Sequence, residues 1–117
     1  MFRKFFQRKF NKKTGLTTDQ IIKNIIKKEL HFHFSKSWWH WWQKINKKKT
    51  KAELYFNIRN SEYLTDEQKD LLVEKAWHAV HHHEEILIMT CHEERYQKAN
   101  KKKVIEHFVF LLREILK

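Results

Sequence analysis

Four of the five tryptophans fall within five residues, Trp38-Trp39-His40-Trp41-Trp42. Lys36 precedes them, and Lys44, Lys47, Lys48, Lys49 and Lys51 follow. Indoles interleaved with ammonium groups suit single-stranded nucleic acid, because bases stack on the rings while the lysines meet phosphates. Successive side chains on a helix point about 100° apart, so the rings cannot all face one core. Trp38, Trp41, Trp42 and Ile45 make an inward face, with Trp39 and His40 outside it. Trp39, His40 and Trp42 are the stacking candidates. The same rings can instead supply bulk to a small core, anchor a protein interface, or sit at a membrane surface.

Phosphate contacts are expected from Arg3, Lys4, Arg8, Lys9, Lys12, Lys13, Lys47, Lys48, Lys49 and Lys51. The 117 residues carry Lys+Arg 25 against Asp+Glu 14, a formal charge of +11. Residues 1–60 hold sixteen of those bases and three acids, a net of +13, whereas 61–117 net −2. Within 61–94 only Lys69 and Lys75 stand against nine acids. A basic half joined to an acidic stretch points to an anionic partner for the first half. Lys outnumbers Arg twenty to five, which an AT-rich gene also produces. Contact dominated by Lys is mostly blind to sequence.

Nine histidines raise metal chemistry as the other possibility. On a helix over 66–98, Glu74, His78, His81, Glu85 and His92 share the face opposite the apolar stripe. Glu74/His78 and His81/Glu85 are spaced i,i+4, close enough to share an ion. One helix rarely closes a ligand set, so His31, His33 or His107 would have to contribute. The expectation is a solvated face, with Glu74, His78, His81 and Glu85 the only metal candidates and no bound cofactor. His83 falls in the apolar stripe and reads as a buried neutral ring. Cys91 reads as a small buried hydrophobe, and a single cysteine excludes an intrachain disulfide framework. No Ser nucleophile elbow, Gly-rich phosphate loop or HExxH pattern is present, so the chain reads as non-enzymatic with no small-molecule substrate.

The elements that must position these groups read as mainly all-α. One Gly and no Pro leave little turn punctuation, which disfavours a many-stranded fold. A basic amphipathic segment, 1–15, ends at Gly15, and 16–117 forms one helical domain. Thr17 and Gln20 have capping-box spacing ahead of Ile21, Ile22, Ile25, Ile26 and Leu30, which predicts a helix over 18–30. Residues 31–34 alternate with period two. Residues 52–58 are ambiguous: Leu54, Phe56 and Ile58 alternate, yet Thr50 and Glu53 have capping-box spacing, and helix is preferred. A two-stranded ribbon of 31–34 with 52–58 is the alternative. Thr65 and Gln68 open a long acidic helix over 66–98, ended by Asn100, with Leu72, Ala76, Ala79, Val80, His83, Ile86, Leu87 and Thr90 on its apolar face. A last helix from Lys101 presents Val104, Ile105, Phe108, Leu111, Leu112 and Ile115 and packs against it as an antiparallel hairpin.

No apolar run approaches the roughly 20 residues that span a bilayer. Met1–Lys13 lacks the continuous apolar core of a secretory signal. Its Phe, Arg and Lys pattern resembles an organellar presequence or a surface-seeking helix, but a chain that starts at Met1 is expected in the cytoplasm, with an organelle as the alternative. The sequence therefore points to a non-enzymatic nucleic-acid-binding protein, associated with RNA or a ribonucleoprotein rather than duplex DNA. A protein partner is also expected, and binding to a membrane surface is not. Two alternatives stand: a protein-interaction module, such as an assembly subunit or an inhibitor of a nucleic-acid enzyme, and a His-rich metal-binding helical protein.

Overall fold

The computed structural model describes residues 15–35, 50–81 and 83–117. Among them lie three helices and one four-stranded antiparallel sheet. In chain order these are α1 (Thr18–Lys28), β1 (Leu30–Ser35), β2 (Lys51–Asn57), α2 (Asp66–Lys75), a 3-10 turn (Trp77–Ala79), β3 (Val80–His81), β4 (Ile86–Cys91) and α3 (Gln97–Ile115). The strands lie in the order β1-β2-β4-β3. The fold is therefore α+β, and the expectation of a mainly all-α domain is corrected.

Both strong helix starts follow from local chemistry. Thr17 caps α1 and Thr65 caps α2, each accepting from the backbone N–H of the Gln three residues on, whose side chain accepts from the capping N–H. Asp19 in the first turn of α1 and Lys27 and Lys28 in its last turn suit the helix dipole. Gly15, just ahead of that cap, adopts a φ of 71°, a conformation that favours glycine. The basic segment it was expected to terminate lies outside the described residues.

The long acidic helix does not exist. Its first ten residues form α2, which stops at Ala76; the chain then turns, pairs as β3, reverses and returns as β4. Ile86-Leu87-Ile88-Met89 is a short continuous apolar run, which periodicity alone cannot assign to helix or strand. The reversal uses no glycine, because Glu85 itself takes the left-handed conformation, φ 55°. His83 stands exposed in this turn rather than buried in a stripe. Thr90 is likewise exposed, on the opposite side of β4 from Leu87.

Residues 51–57 are a strand, not the preferred helix. Their burial alternates strictly, with Ala52, Leu54 and Phe56 completely enclosed. Glu53, read as a capping-box partner of Thr50, instead lies on the other face of the sheet. The ribbon held as an alternative is present within a larger sheet: Phe32 pairs with Leu54 and Phe34 with Ala52. On its other side β2 pairs with β4, with Leu54 opposite Met89 and Phe56 opposite Leu87. One face of the sheet thus carries Phe32, Leu54, Phe56, Val80, Leu87 and Cys91. Against it pack Ile21, Ile22 and Ile25 of α1, Leu72 of α2, and Val104, Phe108, Leu112 and Ile115 of α3. Phe56 and Phe108 meet edge to face, with ring centroids 5.2 Å apart. α3 begins at Gln97, four residues ahead of the predicted start, so Asn100 lies inside it rather than capping a preceding helix.

Candidate nucleic-acid interface

Most residues expected to touch nucleic acid lie outside the described residues: Arg3, Lys4, Arg8, Lys9, Lys12, Lys13, Trp39, His40, Trp42, Lys47, Lys48 and Lys49. So do Trp38, Trp41 and Ile45. What the structure locates is the place to which the tryptophan-lysine stretch is attached. It joins β1 to β2, and Ser35 and Lys51, at its two ends, are directly paired across the sheet. Lys51, the one described member of the expected set, is half-buried.

Asn100 holds this end of the sheet to α3. It is completely buried, and both halves of its amide are used. Its Nδ2 donates to the carbonyls of Thr50 (2.6 Å) and Glu94 (3.0 Å), while its Oδ1 accepts from the Glu94 N–H (2.9 Å) and the Cys91 Sγ (3.4 Å). Two donors and two lone pairs are thereby satisfied together, which a buried side-chain amide requires. Cys91 is a buried free thiol.

The first turns of α3 are consequently set beside the start of β2, and they are rich in lysine. Lys101 places its Nζ 4.8 Å from the centre of the Phe32 ring, over its face. Lys98, Lys101 and Lys102 are exposed and line a surface cavity of about 390 Å³ with Ile105 and Glu106. Nearby acids are partly committed: Glu93 and Glu94 both bind Lys103, and the Glu94 contact, followed by that of Glu93, holds its ammonium above the ordinary lysine range. No acid occupies the first turn of α3, an arrangement the helix dipole alone would not select. Lys98, Lys101 and Lys102 were missed by sequence reasoning. Their run was visible, but the placing of the first turns of α3 by β2, and of Lys101 over Phe32, depends on contacts between residues far apart in the chain.

The opposite face of the sheet forms a second polar surface. Here Tyr55 pairs with His31 on one side and Ile88 on the other, and Glu53 with His33 and Thr90. Glu53 accepts from the Tyr55 hydroxyl (3.2 Å) through one oxygen and meets His33 Nδ1 (3.2 Å) with the other. Burial pushes the Tyr55 phenol above its ordinary value, and the Glu53 bond and charge add to it. No described helix covers this face.

The metal candidates are dispersed. Glu74 lies in the last turn of α2, His78 in the 3-10 turn, His81 on β3 and Glu85 in the following reversal. Glu85 binds the Arg59 guanidinium, which also reaches Asp70, so the reversal is tied to α2 and to the β2–α2 connection. These carboxylates hold Arg59 above its ordinary range, Glu85 first and Asp70 second. Among the described residues no group of three His, Cys, Asp or Glu side chains is placed to hold a metal ion. The i,i+4 spacing that suggested one required a helix through 78–85, and the chain turns there instead.

No helix among the described residues is long and apolar enough to cross a membrane. Comparison of the chain with protein-family models and with curated proteins finds no match.

Proposed function

We propose that this protein binds nucleic acid without catalysing a reaction, with RNA or a ribonucleoprotein favoured over duplex DNA. One observation carries this above the others. The described residues hold fourteen Lys/Arg and fourteen Asp/Glu, so they are formally neutral. The entire +11 belongs to residues 1–14 and 36–49, which contain eleven bases and no acid. A solubility surface intersperses the two signs. Segregation of this degree supports a partner with a dense negative charge. The second stretch also contains four tryptophans, which supports unpaired bases over a duplex because stacking needs an open base face. The start of β2, to which it is joined, is bound to the first turns of α3, so Lys98, Lys101 and Lys102 there would extend the phosphate track.

Binding to single-stranded RNA is expected to weaken steeply between about 50 and 200 mM salt, as counterions released by phosphate contacts are restored. Changing Lys47, Lys48 and Lys49 together to Glu should lower affinity and flatten that salt dependence. A wild-type protein that binds neither RNA nor DNA at low salt would overturn the proposal. The protein-interaction alternative would then take precedence, supported by the large apolar side chains left exposed at Leu71, Trp77, Tyr96 and Phe110.

A further inference from the structure

We infer that the face of the sheet that no described helix covers holds a pocket for a single unpaired nucleobase, with Tyr55 and His31 as its stacking surface. The inference rests on the nucleic-acid reading above and gives it a site made of described residues. Tyr55 on the central strand β2 and His31 on the edge strand β1 are direct cross-strand partners. Opposed residues stand about 4.5–5.5 Å apart at Cβ, so two planar side chains rise side by side from one face. The Tyr55 hydroxyl donates to Glu53, which fixes the edge of the ring.

Beside this pair the structure has a cavity of about 410 Å³, a volume suited to one nucleotide. Ile86 supplies an apolar wall, and Asn57 and Asn60 bring amides that can hydrogen-bond to the edge of a base. Lys28, exposed in the last turn of α1, stands at the rim where a phosphate would lie. Glu29 also borders the cavity, but both its oxygens are engaged, one by the Ser61 hydroxyl (2.6 Å) and the other by the Glu62 N–H (2.9 Å). Its charge is thereby held by local donors. The occupant that fits is a nucleotide in a single strand: a ring to stack, an edge to bond and a phosphate to meet the lysine.

The test uses the full chain and a short single-stranded RNA at low salt. NMR should show the ring resonances of His31 and Tyr55 shifting on addition of the RNA. Tyr55→Leu should weaken affinity about fivefold or more, the loss expected for one stacked base, whereas Tyr55→Phe, which keeps the ring but loses its bond to Glu53, should lose clearly less than Tyr55→Leu. Should Tyr55→Leu fail to fold by thermal melt, His31→Ala on the edge strand serves in its place, with a smaller loss of the same sign. If the wild type binds RNA but Tyr55→Leu binds equally well, or neither ring shifts, the pocket is wrong and the nucleic-acid proposal stands. If the wild type binds no nucleic acid, both fall.

Discussion

Asn100 joins three parts of the chain through one side chain: the start of β2 at Thr50, the end of β4 at Cys91, and the loop at Glu94. An alanine there leaves those groups facing a dry gap, and each buried polar group that loses its partner costs about 1–3 kcal/mol. Asn100→Ala is therefore expected to lower stability by a few such increments in urea unfolding. Asn100→Asp should fare no better, because a carboxylate cannot donate to the Thr50 carbonyl. Tyr55 gives a pH-dependent counterpart. Its phenol ionises later in the folded protein than in the unfolded chain, through burial and then Glu53. Its contribution to stability is thus complete below the unfolded value of 10.0 and is lost as pH rises through the folded one. Phenolate absorbance should show an alkaline phase that is absent in Tyr55→Phe, with the wild type losing stability across it.

At the scale of elements, α3 is the support of the domain, since its inner side covers both central strands. Val104, Phe108, Leu112 and Ile115 follow one another at helical intervals and are all buried. Phe110, two positions beyond Phe108, points outward and is 65% exposed. Phe108→Ala should cost about 3–5 kcal/mol, removing the edge-to-face contact with Phe56 and leaving a cavity. Against a total stability of about 5–15 kcal/mol that is a large share. Phe110→Ala should change stability by no more than about 0.5 kcal/mol, as surface substitutions usually do. Equilibrium unfolding of the two variants checks the orientation of the helix. The exposed ion pair between Arg113 and Asp19, 3.2 Å apart, adds little to the α1–α3 contact, because solvent-exposed pairs contribute about 0–1 kcal/mol.

For the whole molecule, the governing quantity is the separation of a formally neutral set of described residues from two wholly basic stretches. If Lys101 and Lys102 extend the phosphate track, removing both should change more than affinity. For single strands the slope of log K against log salt falls by about 0.7 per phosphate contact, so Lys101→Ala with Lys102→Ala should flatten it by about 1.4. A double variant with weaker binding but an unchanged slope would remove these lysines from the track. Lys103, held by Glu93 and Glu94, is the internal contrast, and its replacement should leave the slope unchanged.

Features that depend on neighbours a few residues away are legible without the fold. Thr17 with Gln20 and Thr65 with Gln68 are reciprocal bonds across three residues, and both helix starts form where that spacing places them. The apolar spacing of Ile21, Ile22 and Ile25, and of Val104, Phe108 and Leu112, is realised as buried helix faces for the same reason. Charge segregation is likewise a property of the sequence, visible before any fold. Tertiary structure decided residues 51–57 and 80–91, where local signals allowed two answers. Val80, Ile86 and Leu87 fit a helical stripe, and Thr50 with Glu53 fit a helix cap. What β2 required was backbone hydrogen bonds on both edges and an alternating face against Phe108, needs that only β1 and β4 met. Those partners lie about twenty and thirty-five positions away from β2 in the pairing, so no local window contains them. The same separation hid the lysines of α3. The first turns of α3 that carry them are held at the start of β2 because a buried amide at Asn100, fifty positions from Thr50, binds its carbonyl, and Lys101 reaches Phe32 from there.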